Sequence, residues 1–262
     1  MSRKYLIRSL CLYLFVATTS LAQVVEQADE QEIPPARKNY MGRRIAFTMG
    51  VGGAEWLTRA NRQAEEDCET LLRELRLKPD MTVCDMGCGN GFYALRMAKQ
   101  VGEKGRVLAV DIQAGMLRLL QSRAEEQEID NVKPILSGIT DPKLPKREVD
   151  LILCVDVYHE FSHPELMLKG MRDSLSKDGV IALAEYREED PTVPIKPLHK
   201  MSKKQILKEY SANGLKLVRE FDGLPWQHLM FFGRDDAESK DEKRGDEEQT
   251  SEEQTSEEPI GE

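Results

Sequence analysis

The apolar run at residues 81–86 ends in Asp85-Met86-Gly87-Cys88-Gly89-Asn90-Gly91-Phe92, with three glycines at alternate positions. No other feature of the sequence limits the fold as much. A short apolar run that enters spaced glycines and then a helical pattern reads as a strand turning into a helix. Glycine lets the backbone take positive φ there and approach a ligand closely, and the helix start offers N–H groups without intrahelical partners. The spacing is not that of the dinucleotide loop G-x-G-x-x-G, because the third glycine comes one residue early. Asp85 restricts the ligand further. A carboxylate two residues before the first glycine repels a pyrophosphate and suits a ligand carrying an ammonium group.

Short apolar runs at 81–86, 106–111, 132–136, 149–155 and 179–186 alternate with helical stretches at 92–101, 113–127, 164–175 and 202–210. This alternation predicts parallel βαβ units, hence an α/β chain with a doubly wound sheet. Two final runs, 215–221 and 229–232, are close enough to pair as an antiparallel hairpin. The expected architecture is a Rossmann-like sheet of seven strands, mostly parallel, with that hairpin at the C-terminal side. Ahead of the first strand, 56–77 carries Leu57, Ala64, Cys68, Leu71, Leu72 and Leu75 at mostly helical spacing, which predicts one amphipathic helix covering the sheet. Residues 24–40 have no period and contain Pro34-Pro35, which suits a linker. The second strand closes in Val110-Asp111-Ile112, an acid 20 residues after Gly91, where a carboxylate can grip a ribose.

With Asp111 in place, D-x-G-x-G-x-G after the first strand resembles the class I S-adenosylmethionine-dependent methyltransferases, in the broad methyltransferase-domain group that includes the ubiquinone and menaquinone C-methyltransferases. The resemblance spans roughly residues 75–235. It implies S-adenosylmethionine as cofactor. It implies that Asp111, beside Ile112, binds both ribose hydroxyls. Gly87, Cys88, Gly89 and Gly91 would pack against the methionine part, and Asp85 would help hold its amino group. Family members often carry Gly-Asp after the third strand, the Asp meeting the adenine amino group. Here the text is Ser137-Gly138-Ile139-Thr140-Asp141, so Thr140 or Asp141 takes that place.

The fourth strand ends in Asp156-Val157-Tyr158-His159-Glu160-Phe161, at the carboxyl edge where open α/β sheets bind ligands. The family places substrate-facing residues on this loop. Asp156 is assigned to the cofactor side, and Tyr158, His159 and Glu160 are the catalytic candidates. His159 suits a general base because imidazole ordinarily titrates near neutrality; its alternative role is to cap or pack under the loop. The Asp/Asn-Pro-Pro-Tyr pattern of amino-methylating enzymes is absent, which speaks against a nucleic-acid base as acceptor. Ser176–Val180 resembles the family's turn before the fifth strand, and Glu185-Tyr186 marks that strand's end. Residues 191–199, with three prolines and His199, read as a rigid loop over the pocket. Arg43, Arg44, Trp56, Trp226 and His228 could each line the acceptor side, although packing or solvation explains each one alone.

The net charge of −9 argues against binding nucleic acid through phosphate neutralisation. It is unevenly placed. Residues 237–262 hold eleven acids and three bases, with EEQTS repeated and almost no apolar side chain, which predicts a solvated, disordered tail. Residues 1–22 have a basic start, an apolar run at 10–17 and small residues Ser20 and Ala22, a signal-peptide pattern too short to span a bilayer. That predicts export, periplasmic or secreted, and no stable membrane insertion once the signal is removed; a cytoplasmic location is the alternative. The organisation expected is a signal at 1–22, a linker or cover at 23–55, a methyltransferase domain at 56–236 and the tail at 237–262. Five sparse cysteines predict buried thiols, and no His/Cys cluster has zinc spacing, so no metal is expected. The sequence leaves the oligomeric state open.

The function expected is one-step transfer of a sulfonium methyl group to a small-molecule acceptor. The rival from another class is a binding protein without turnover on the same fold, which export favours because S-adenosylmethionine is made in the cytosol. A nicotinamide-dependent oxidoreductase is set aside by the glycine spacing.

Overall fold

The structure, a computed structural model, describes residues 33–235. The expected signal segment and acidic tail lie outside the described residues. Near the start, β1 (Asn39–Tyr40) pairs with β2 (Arg43–Arg44), and Met41 and Gly42 make the turn with φ of 45° and 102°. A 3-10 helix, Val51–Thr58, precedes α1 (Arg62–Glu66) and α2 (Cys68–Glu74). The single helix expected over 56–77 is therefore three pieces. The break between α1 and α2 is at Asp67, which takes a left-handed φ of 48°, ends α1 and caps α2 by accepting from the Thr70 N–H; the other break falls at residues 59–61. The core face survives the break, since Cys68, Leu71, Leu72 and Leu75 are all buried.

From there the alternation appears as expected, with boundaries moved by a few residues: β3 (Thr82–Met86), α3 (Ala94–Val101), β4 (Arg106–Asp111), α4 (Ala114–Glu126) and β5 (Val132–Leu136). They are followed by β6 (Val149–Val155), α5 (Pro164–Ser174), β7 (Leu175–Arg187), β8 (Lys200–Met201), α6 (Lys203–Ser211), β9 (Leu215–Phe221) and β10 (Gln227–Arg234). β7 starts earlier than expected: Leu175 pairs with Val149, and a register shift between Val149 and Leu151 absorbs the turn residues before Gly179. β8 was not legible as a strand; its two residues pair in parallel with the far end of β7.

Seven strands lie in the order β5-β4-β3-β6-β7-β10-β9. β10 runs antiparallel to both β7 and β9, which is the expected hairpin, and the strands before it pair in parallel. The two-residue period puts successive side chains on opposite faces. Val83, Val107, Ala109, Leu151 and Leu153 meet α2, α3 and α4 on one side. Cys84, Leu108, Val110, Ile152 and Cys154 meet α5 and α6 on the other. Cys68, Cys84, Cys88 and Cys154 are buried free thiols. Among the described residues no helix is long and apolar enough to cross a membrane.

The chain winds outward from β3 through β4 to β5, then returns to lay β6 against the other side of β3. That reversal opens a crevice beyond the carboxyl ends of β3 and β6.

Candidate active site

A cavity of about 490 Å3 occupies that crevice. Its β3 side is the glycine loop. Gly87, Gly89 and Gly91 all have positive φ, 70°, 53° and 80°. At Gly87 glycine is also required by space, since a Cβ there would sit 2.4 Å from Cγ2 of Val157 in the loop after β6. The loop N–H groups are largely engaged: those of Gly87 and Cys88 donate to the Val110 carbonyl at 2.8 and 2.9 Å, and that of Gly89 donates to Oδ2 of Asp111 at 2.9 Å. A loop that has spent these donors is poorly equipped for a pyrophosphate. Oδ1 of Asp111 accepts from the Gln113 N–H at 2.8 Å. Each oxygen keeps a further lone pair, and the residue lines the cavity. Burial raises its carboxyl above the ordinary range, against the hydrogen bonds that lower it.

Asp85 does not line the cavity. It is buried in the layer behind the loop, and burial pushes its pKa up to about 7 even though the Ala94 N–H at the start of α3 works the other way. Its Oδ2 has no hydrogen-bond partner. Cys88 and Gly91 are likewise behind the wall. Thr140 and Asp141, expected at the adenine position, are off the wall too, and Oδ1 of Asp141 is occupied by the Lys143 N–H at 2.8 Å. The wall is made there by Ser137, Gly138 and Ile139, with Ile112 nearby in the lining.

The opposite end lies on the loop after β6. Asp156 lines the cavity in a left-handed backbone conformation, φ 50°, with Oδ2 accepting from Gln227 Nε2 at 2.7 Å and Oδ1 unpartnered. Burial, then the nearby Glu66 and Glu185 carboxylates, raise its pKa well above the usual carboxylate range. The next residues form a 3-10 turn, Tyr158–Glu160. Tyr158, expected to be catalytic, points into the core. Its hydroxyl donates to Glu209 at 2.7 Å, Glu209 is paired with Arg43, and the Arg43 guanidinium lies over the Tyr158 ring. Tyr158 and Arg43 therefore hold the turn in place and do not face the cavity.

His159 and Glu160 do face it. Nδ1 of His159 is 2.6 Å from Oε2 of Glu185 on β7, and Nε2 is 3.0 Å from Nδ1 of His199. Burial would lower the His159 pKa, but the Glu185 charge and hydrogen bond outweigh it and the net shift is upward. His199 shifts down through burial and its neighbour His159. Glu160 is pushed up to about 7 by burial, against the opposing pull of His159. His199 closes the wall from the proline loop together with Pro194, Ile195 and Lys196, as the sequence predicts for 191–199.

The segment expected to be a cover contributes directly. Thr48 and Met49 line the cavity. The Ala46 N–H donates to the His159 carbonyl at 3.1 Å, and Gln113 Nε2 donates to the Met49 carbonyl at 2.9 Å. Trp56 is on the wall, whereas Arg44, Trp226 and His228 are not.

The family profile described as Methyltransferase domain matches residues 77–245, the whole sheet included. The chain belongs to the methyltransferase domain family. A second profile, Protein-L-isoaspartate(D-aspartate) O-methyltransferase, matches residues 1–138. The methyltransferase is 25% identical to a solved SAM-dependent methyltransferase from Aquifex aeolicus, with a TM-score of 0.66 over 71% of this chain and 98% of the other. It is 27% identical to (S)-coclaurine N-methyltransferase of Thalictrum flavum subsp. glaucum over 43% of this chain and 31% of that protein. It is 24% identical to tRNA U34 carboxymethyltransferase of Desulfotalea psychrophila over 64% of this chain and 51% of that one. The methyltransferase thus spans about a third of the first relative and half of the second.

The donor set at the β3 end fits the cofactor that this family implies. Asp111, on the cavity wall, offers two acceptor oxygens to a vicinal diol, and Gly87 and Gly89 leave the wall beside it bare of side chains.

Proposed function

We propose that the chain transfers a methyl group from S-adenosylmethionine to a small-molecule acceptor whose reacting atom lies against His159 and His199. One observation carries this reading: a single cavity has the glycine loop and Asp111 at one end and the His159, Glu160 and His199 side chains at the other. The cofactor supplies an electrophilic methyl group on a sulfonium. Asp111 binds the ribose hydroxyls, Gly87 and Gly89 let the methionine part approach the backbone, and Asp85 stays buried behind that loop. Cys88, Gly91, Thr140 and Asp141 shape this end from behind the wall. Asp156 lines the cavity on the loop after β6, where its unpartnered Oδ1 is available to a bound ligand.

Most of the rate in such a transfer comes from holding two reactants in line. The bond from sulfur to methyl breaks as the bond to the acceptor forms. A hydroxyl or acidic carbon also gives up a proton, and the imidazole pair is where that proton is released. The cavity's size suits a drug-sized molecule, and the net charge of −9 does not favour a polynucleotide.

The test is S-adenosylhomocysteine formation by the full chain with S-adenosylmethionine and a panel of small hydroxyl, enol and amine acceptors, with bulk tRNA as a separate arm. Turnover above the acceptor-free rate with a small molecule supports the reading. Turnover with tRNA alone overturns it.

A further inference from the structure

We propose that His159, Glu160 and His199 form a binding site for a divalent transition-metal cation in the cavity wall. This deepens the proposed function and rests on it only for the claim that the acceptor lies beside the site. One ligand atom from each of the three residues lies within 4.8 Å of the others. Nε2 of His159 is 3.0 Å from Nδ1 of His199 and 3.9 Å from Oε1 of Glu160. Donors bound to one zinc-class ion at about 2.0–2.2 Å lie roughly 3–3.6 Å from each other, so small side-chain adjustments bring the three onto a shared ion.

Glu185 supplies the independent argument. Its Oε2 holds Nδ1 of His159 at 2.6 Å, and its Oε1 accepts the His159 backbone N–H at 3.2 Å. With the ring proton fixed on Nδ1, the lone pair of Nε2 points at His199 and Glu160. A carboxylate behind the far nitrogen is the arrangement that orients metal-binding histidines and raises their basicity. A hydrogen bond between the two imidazoles accounts for two members of the cluster but not for the third. Among the described residues the Glu160 carboxylate has one donor, the Met49 N–H, shared between both oxygens at 3.3 Å.

The scaffold holds these groups in register. His159 and Glu160 follow β6, Glu185 is on β7, and His199 precedes β8; β7 pairs with both β6 and β8. Two imidazoles and one carboxylate suit zinc and its first-row neighbours, whereas magnesium and calcium favour all-oxygen sets. Three protein ligands on a cavity wall leave positions open, as in catalytic sites and unlike closed structural ones. An oxygen of the acceptor can take an open position, where the ion lowers its pKa so that the proton leaves to solvent before methyl transfer; with the ion bound, this replaces proton release to the imidazole pair.

The test is calorimetric titration of the full chain, stripped with chelator, with zinc chloride and separately with magnesium chloride. S-adenosylhomocysteine is titrated in parallel. The expected result is one zinc per chain at micromolar affinity or tighter and no magnesium binding. His199→Ala should weaken zinc by more than tenfold, and Glu185→Gln, which removes a supporting charge and no ligand, by about tenfold. Both variants should keep S-adenosylhomocysteine binding, which shows that they fold. Absence of stoichiometric zinc binding, or equal affinity in His199→Ala, overturns the site. Zinc binding without S-adenosylhomocysteine binding overturns the proposed function and leaves the cation site standing.

Discussion

The two ends of the cavity are built in opposite ways. The β3 end is a local product of the chain: the loop from Gly87 to Gly91 and the acid at Asp111 follow consecutive strands, and the loop's own N–H groups tie it to Val110 and Asp111. The β6 end is assembled from distant pieces. His159, Glu185 and His199 are 26 and 40 residues apart, and only the parallel pairing of β6, β7 and β8 brings them together. The β3 end is specified mainly by backbone geometry and tolerates little change. The β6 end is specified by side-chain chemistry on a fixed scaffold and can be altered without loss of the fold.

That contrast breaks if the wrong variants unfold. The largest effect expected is on turnover at the β6 end. His159→Asn should lower the methylation rate by about 10²-fold or more while S-adenosylhomocysteine affinity stays within a few-fold, read by steady-state kinetics and calorimetry on the same sample. A matching loss of cofactor affinity would mean that the two ends are not separable.

At the β3 end the main cost should fall on folding. Gly87→Ala places a Cβ in a left-handed residue and 2.4 Å from the stiff Val157 side chain. Destabilisation of about 2–4 kcal/mol in urea unfolding is expected, from the strain of a side chain in the left-handed region and overpacking together. Full stability in this variant would show that the loop is less constrained than its geometry implies.

A pH effect sharpens the contrast. Asp85 holds its proton up to about pH 7 when folded, against an ordinary value of 3.8. Between those values the unfolded chain has released a proton that the native chain keeps, so stability falls as pH rises and levels off above the folded pKa. Asp85→Asn removes that fall. Without cofactor it should be more stable than wild type at pH 8 by up to about 3 kcal/mol relative to the comparison at pH 5, read from paired denaturation curves. Parallel curves at both pH values would contradict a buried neutral Asp85.

The sheet was largely legible in the sequence, while at the β3 end Gly87, Gly89, Asp111 and Ile112 line the cavity and Asp85, Cys88 and Gly91 do not. Strand and helix patterns gave the order, and the motif containing Asp85, the glycines and Asp111 names residues whose interactions stay within neighbouring elements. Three failures have physical reasons. Asp67 breaks the helix over 56–77 through a left-handed turn that hydrophobic spacing does not encode. Tyr158 precedes two cavity residues in a three-residue turn, and the turn sends its ring to Glu209 on α6, a partner 51 positions away. Asp141 bonds its own loop at Lys143, leaving the wall to Ser137, Gly138 and Ile139. His199 was visible only as part of a proline-rich loop, and its pairing with His159 depends on β8, a strand of two residues with no sequence period. Residues 46–49 had no signal either, because they join the site through backbone hydrogen bonds.

The central claim is that the β3 end binds S-adenosylmethionine through its ribose and its amino acid part. Calorimetry of the full chain with S-adenosylhomocysteine and with NAD, for wild type and Asp111→Ala, tests it most directly. Micromolar binding of S-adenosylhomocysteine, no binding of NAD and a loss of about tenfold to a hundredfold in the variant are expected, the size of hydrogen bonds to a charged acceptor. No binding of S-adenosylhomocysteine to the wild type, or unchanged affinity in Asp111→Ala, would contradict it.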